Sequence, residues 1–485
     1  MGHYERLSAL DASFLGIEDA SSHMHVAATL IFDAAPLEVA HGGIDMARVR
    51  DYVASRLHLI PRYRQRLAHT PLERHPVWVD DERFNLFYHV RHVALPRPGE
   101  ERQLKRLCGR IMSQKLDATK PLWEIWVVEG LEGGRLALIT KAHHAMVDGV
   151  SGMDLLTVLL SPTPTSTFEP GPRFEPRPAP TPAELVWGEV CRRSGAVASG
   201  VRGVVEALRA PQAAVATARE AILGIVETLG ASVGSPASAT PLNPSIGPHR
   251  RFDWVRFDLE QVKAVKQRLG GTVNDVVLAA VTGAARRFLG QRGMATRGLD
   301  FRAMVPVSVR AASEHGALGN RVANFVVALP VGEPDPLERY RRVMAATQAQ
   351  KGSRVVRGTE LIEELGNWTS TALLTQTMRL AAQLRPFNIV VTNVPGPQIP
   401  LFLLEAPLRE AFPMVPLFGN QAVGLALFSY AGGLFWGLNA DWDAVPDLHE
   451  LALALEAELS ELQDVAGTRA PATSDPPHAC MRLDG

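Results

Sequence analysis

Apolar positions along the chain alternate between the period of a strand and that of a helix. Leu136, Leu138, Ile139 and Ala142 predict a half-buried strand over 136–142. The turn 130–134, with Gly130, Gly133 and Gly134, joins it to a strand over 126–129, a hairpin by turn chemistry. Leu155, Leu156, Val158 and Leu159 then mark a helix that Ser151 can cap. Further strands are predicted over 25–32, 87–90, 92–95, 250–258, 301–310, 324–330 and 388–394. Helices are predicted over 44–57, 101–114, 259–269, 336–350, 359–384 and 448–462, with a strongly apolar one opened by Thr272-Val273-Asn274-Asp275. The charge-free run 411–440 contains Pro413, Pro416, Gly419, Gly424 and the pair Gly432-Gly433. It reads as two strands about a Gly-Gly turn rather than as a membrane span.

These elements describe an α/β (α+β) protein of two lobes with a substrate cleft between them. The first lobe is 1–165 and the second 250–465. Between them, 166–249 is a linker, Pro-rich at first (Pro170, Pro172, Pro176, Pro178, Pro180, Pro182) and then helical over 183–229, interrupted at Pro211. Residues 466–485, rich in Pro, Ala and polar side chains, are expected to be a disordered tail.

Composition narrows the class. The chain has 485 residues, 46% hydrophobic and 21% charged, as in a soluble globular protein. A formal net charge of −1 gives no global field for nucleic acid. Three cysteines (Cys108, Cys191, Cys480) without paired spacing argue against a disulfide framework or zinc ribbon and fit a reducing cytoplasm. The first residues carry no apolar signal region, and Arg6 stands where myristoylation needs Ser or Thr.

The candidate chemistry is His143-His144-Ala145-Met146-Val147-Asp148-Gly149, strand before and helix after. A histidine there can act as a general base, because its ordinary pKa lies near working pH. Gly149 permits a backbone that a larger residue resists. Asp148 either pairs with the imidazole, as in a hydrolytic triad, or braces the turn against an arginine, for which Arg310 is the candidate. Adjacent histidines diverge and no second cluster of metal spacing occurs, so a metal site is not expected. No Gly-x-Ser-x-Gly elbow is present. Arg62, Arg64 and Arg66 read first as a solvated face and second as a site for anionic headgroups. Trp123 and Trp126 read as core and sheet packing.

The His143–Gly149 motif, with Pro121-Leu122-Trp123-Glu124 upstream, resembles the bacterial wax ester synthase/acyl-CoA:diacylglycerol acyltransferase family. So do Leu10-Asp11 with Phe14, Met24-His25, Asn274-Asp275, Pro306–Arg310, Gly319-Asn320 and Asn393-Val394-Pro395-Gly396. The family belongs to the CoA-dependent acyltransferase superfamily, with chloramphenicol acetyltransferase and peptide-synthetase condensation domains. The resemblance implies two chloramphenicol-acetyltransferase-like lobes joined by a helical crossover. It implies His144 as base, His143 as its supporting neighbour and Asp148 as a structural brace. Thr392 departs mildly from the serine frequent in the family.

The expected substrates are long-chain acyl-CoA and either diacylglycerol or a fatty alcohol, giving triacylglycerol or wax ester without a further cofactor. Asn274 and Asp275 are the oxyanion or cleft candidates, with capping of the following helix as the structural role of Asn274. Peripheral attachment to the inner face of the cell membrane or to lipid droplets is expected, through Arg62–Arg66 and the 183–229 helices. The alternatives are a relative that acylates another hydroxyl or an amine (polyketide-lipid or condensation type) and a non-catalytic lipid-binding or scaffold protein.

Overall fold

The computed structural model describes residues 3–146, 156, 158–192, 194, 236–308, 322–351, 376 and 385–467. Asp148, Gly149, Ser151, Arg310, Gly319 and Asn320 lie outside the described residues. So do the tail from 468 and most of the predicted helices over 183–229 and 359–384.

Fifteen strands follow in chain order among the described residues. They are β1 (Glu5–Arg6), β2 (His25–Asp33), β3 (Gln65–His69), β4 (Pro76–Asp80), β5 (Val90–Ala94), β6 (Trp123–Leu131), β7 (Arg135–His143) and β8 (Arg250–Asp258). Then come β9 (Phe301–Ser308), β10 (Val322–Leu329), β11 (Ile389–Pro395), β12 (Phe402–Leu403), β13 (Ala406–Met414), β14 (Val423–Tyr430) and β15 (Gly433–Asp441). Two six-stranded sheets carry the two lobes, in the orders β12-β13-β2-β7-β6-β5 and β10-β9-β11-β14-β15-β8. A small third sheet runs β1-β4-β3.

Most strands lie where the apolar pattern put them. The hairpin β6–β7 forms as expected. The charge-free run becomes β14 and β15, whose residues are almost all buried on both faces, which is why no alternation shows in the sequence. Their turn is Ala431-Gly432, both at positive φ, and Gly433 already belongs to β15.

The predicted strand over 87–90 is instead a helical turn, Leu86–His89, capped by the Asn85 side chain. Tertiary packing decides this segment, because the His89 ring stacks against both Phe84 and Trp123, at centroid distances of 5.2 and 4.5 Å. A helix over Ala9–Ile17, which the apolar spacing had not marked, is capped by Ser8.

One connection crosses the expected lobe boundary. β13, from the second half of the chain, pairs antiparallel with β2, Met414 opposite Ala27 and Leu408 opposite Phe32. At the seam Trp254 stacks on Phe412 at 4.6 Å, and Phe412 meets Phe435 edge-on. Gly437 lets β15 pass close to β13, since a Cβ there would stand 1.8 Å from the Pro413 carbonyl oxygen. The Pro-rich stretch after Ser161 is irregular but tied down. Thr165 N–H donates to Leu404, and Arg177 forms a two-pronged contact with Asp80.

In the second lobe the helix Val273–Gln291 is buried on most sides, as a helix apolar all round must be. The helix Leu448–Ala466 packs against it, and Glu458 reaches in over Gly283, where a Cβ would stand 1.8 Å from the carboxylate. Glu458 meets Arg339 at 2.5 Å, both side chains 2% exposed, and also pairs with Arg287.

Candidate active site

β7 delivers the histidine pair to the end of the first sheet. Its edges are held on one side by β2, with His25 opposite His143, and on the other by β6. The Pro121–Glu124 segment contributes directly, because the Leu122 carbonyl accepts the His143 N–H at 2.9 Å. Trp123 is fully buried and donates its indole N–H to the Tyr63 carbonyl, so its expected core role holds. Glu124 pairs with Arg91 and accepts from the half-buried Trp126.

His143 points inward and is 1% exposed. Its Nδ1 accepts the Ala145 N–H at 3.0 Å, which puts the ring proton on Nε2. That nitrogen faces Glu18 Oε1 at 3.2 Å. The Glu18 side chain is itself only 6% exposed. Its Oε1 also accepts the Met24 N–H at 2.9 Å, while Oε2 faces Lys115 Nζ at 3.1 Å. Burial raises the Glu18 pKa, but His143, the Met24 amide and Lys115 outweigh it and hold the carboxyl down at about 2.

His144 points another way and is half-buried. Its N–H donates to the Met24 carbonyl at 2.7 Å, and its ring lies against Phe14 at 4.2 Å. Burial, reinforced by His143, pushes its pKa down to about 4, against a smaller opposing pull from its own carbonyl. The imidazole is therefore unprotonated at neutral pH, the state in which a base can accept a proton. His25, on the neighbouring strand, is pushed well below its ordinary value, first by burial and then by Lys141. Lys141 is buried, and its ammonium closes the end of the helix Glu101–Ser113 by donating to the Ile111 and Gln114 carbonyls.

A cavity of about 260 Å³ opens between the two sheets beside this turn. Val26, Ala28 and Ala142 line it from the first sheet, with Thr392, Ala426 and Phe428 from the second. The lining is mostly apolar and stops two residues short of His144 at Ala142. Such a slot favours a hydrocarbon chain, whose burial is worth roughly 0.8 kcal/mol per methylene.

Asn274 and Asp275 are not among the lining residues. The cap of the helix Val273–Gln291 is Thr272 rather than Asn274. The Asp275 carboxylate is committed to it, accepting from the Thr272 amide and hydroxyl at 2.7 Å each and from the Thr347 hydroxyl. Asp148 and Arg310, the expected brace and its partner, and Gly149 lie outside the described residues. The basic run is largely spoken for: Arg62 pairs with Glu5 and lies over Trp78, and Arg64 lies over Phe174. Among the described residues no group of His, Cys, Asp and Glu has metal-binding geometry, and no helix is long and apolar enough to cross a membrane.

Sequence reasoning missed Glu18. The available signal was its spacing from Phe14, four residues, which on a helix puts both on one face.

Known proteins bear on this geometry. A family model described as the wax ester synthase/diacylglycerol acyltransferase catalytic domain matches residues 7–277, and the corresponding C-terminal domain matches 318–463. A probable diacylglycerol O-acyltransferase of Mycobacterium tuberculosis, tgs1, is 34% identical over 470 residues, covering 96% of each chain. A putative diacylglycerol O-acyltransferase of the same species is 33% identical over 472 residues, covering 94% of this chain and 90% of that one. The wax ester synthase/diacylglycerol acyltransferase structure from Marinobacter aquaeolei VT8 matches with a TM-score of 0.66 at 27% identity, over 95% of this chain and 100% of that one. A starter condensation domain of rhizomide synthetase shares the fold, with a TM-score of 0.56 at 12% identity over 96% and 94% of the two chains.

Proposed function

This chain belongs to the wax ester synthase/diacylglycerol acyltransferase family, and from that premise we propose that it moves a long-chain acyl group from CoA to diacylglycerol, and also to long-chain alcohols, with His144 as the base. The observation that carries this reading is the half-buried, unprotonated His144 at the end of β7 beside an apolar cavity between the lobes. The His144 imidazole takes the acceptor's hydroxyl proton as its oxygen attacks the thioester carbonyl. The tetrahedral intermediate collapses with loss of the CoA thiolate, and the imidazolium returns the proton to that sulfur. The step needs neither a metal nor a covalent enzyme intermediate, and acyl-CoA enters as a substrate rather than a cofactor. The residue divisions 1–165, 166–249 and 250–465 remain our proposal for the catalytic lobe, linker and second lobe.

The acceptor and the donor's acyl chain are apolar, so we place the reaction at a lipid surface, with the protein attached peripherally. The test is CoA release from palmitoyl-CoA by purified protein, with diacylglycerol or hexadecanol presented in anionic vesicles and the bound protein measured by sedimentation. Release with diacylglycerol and co-sedimentation are expected. Release with neither acceptor would favour the scaffold reading, and protein wholly in the supernatant would sink the peripheral attachment.

The cavity carries its own prediction. Ala28 lines it from β2, and Ala28→Phe fills part of its volume. The ratio of kcat/KM for palmitoyl over octanoyl substrates is expected to fall about tenfold or more. An unchanged ratio in a folded variant would mean that the chain lies elsewhere.

A further inference from the structure

The helix Ala9–Ile17 does more than fill the first lobe. It presents Phe14 to the ring of His144, and one turn later, at its C-cap, it presents Glu18 to the ring of His143. The two oxygens of Glu18 are divided. Oε2 turns to Lys115, and Oε1 takes both the Met24 amide at 2.9 Å and His143 Nε2 at 3.2 Å.

The two contacts of Oε1 lead to the peptide groups on either side of His144. Met24, whose N–H is held by Glu18, offers its own carbonyl, across its Cα, to the His144 N–H at 2.7 Å. The His143 ring whose Nε2 faces Glu18 accepts the Ala145 N–H on Nδ1 at 3.0 Å. The amides on both sides of the His144 Cα are thus fixed by groups anchored on one carboxylate. A peptide held at both ends leaves its side chain little freedom to swing.

We propose that Glu18 is a positioning residue for the base: it fixes the two peptide groups that flank His144, one through Met24 and one through the His143 ring, and so sets where the imidazole stands. The inference rests on the assignment of His144 as base. The other charged and titratable groups around the carboxylate are Lys115, His23 and His25, with Lys141 and Arg250 behind the histidines. Among the described residues, only Glu18 connects to both flanking amides. Losing it should displace the base without touching either substrate, so the cost falls on kcat. A misplacement on the order of 1 Å costs about 10²-fold.

The test is CoA release from palmitoyl-CoA with the better acceptor, comparing Glu18→Gln with the parent protein. Gln is isosteric, but its amide cannot accept from Met24 and His143 while also receiving Lys115 on its other arm. We expect kcat to fall about 10–100-fold, with KM for both substrates within about threefold and little change in the thermal midpoint. Asp19→Ala supplies the contrast. Asp19 accepts the Ser21 and Ser22 amides and shapes the same loop without touching the histidines.

Asp19→Ala is expected to keep kcat within about threefold. An equal loss there, a loss confined to KM, or an unchanged kcat in Glu18→Gln would overturn the proposal. If Glu18→Gln does not fold, Glu18→Asp takes its place. It keeps the charge and shortens the reach by one methylene, and is expected to lower kcat about tenfold, with unchanged kcat again overturning the proposal. His144→Ala runs in parallel. Activity retained in that variant sinks the base assignment, whereas activity lost there and kept in Glu18→Gln sinks only the role of Glu18.

Discussion

His144→Ala is expected to lower kcat for CoA release roughly 10²–10⁴-fold while leaving KM for palmitoyl-CoA nearly unchanged. The substitution removes the proton acceptor and nothing that grips the thioester. It leaves a gap beside Phe14 at a half-buried position, so the fold should tolerate it. His144 and His143 differ in what they lose. His143 is fully buried, with Nδ1 on the Ala145 amide and Nε2 facing Glu18, so its replacement by Ala strands the Ala145 amide and costs stability as well as rate. A loss below about tenfold in His144→Ala would mean that another group takes the proton.

The second large effect is structural and lies far from the histidines. Glu458→Ala removes the close carboxylate from Arg339 in the second lobe's interior and leaves it only the longer contact to the half-exposed Glu461, at 3.8 Å. Two backbone carbonyls, of Glu333 and Pro334, still accept from that guanidinium, but they carry no charge to balance it. Removing one partner of a buried pair costs about 3–5 kcal/mol, because the remaining charge stays desolvated. Glu461, 38% exposed, is the contrast: it pairs with Arg287 at 2.8 Å and stands farther from Arg339, at 3.8 Å. Its replacement by Ala is expected to cost no more than about 1 kcal/mol. Thermal midpoints of both variants beside the parent decide this. A drop in Glu458→Ala no larger than in Glu461→Ala would show that Arg339 finds other compensation.

The parts of this architecture that were readable from the chain are those with local causes. The apolar runs of β2 and β7 and the turn between β6 and β7 act within a few residues, and each left a pattern, although β7 is buried along nearly its whole length rather than on one face. The histidine turn was legible for the same reason: a buried strand ending in two polar rings is unusual enough to stand out. What remained hidden depends on distant partners. Residues 406–414 would suit a strand in either lobe, and only the pairing with β2 decides which. The segment 87–90 alternates like a strand but curls to stack His89 on Trp123. Glu18 stood out in no local pattern, because its partner His143 comes from another part of the chain. Asn274 illustrates the reverse error. Its neighbours Thr272 and Asp275 share the cap between them, and the residue the sequence offered for that duty was the wrong member of the set.

The pairing of β13 with β2 also sets a clock on biosynthesis. β2 ends at Asp33, and its outer neighbour does not leave the ribosome until residues 34–405 have been made. At about 5–20 residues per second, that interval is roughly 20–75 s. From the completion of β7 until then the nascent first lobe carries a long apolar strand with one edge open, the kind of edge that recruits other chains. The half of the enzyme that holds the histidines thus waits for a strand from the half that follows it, and a ribosome stalled between β7 and β13 releases a lobe that is sticky as well as inactive.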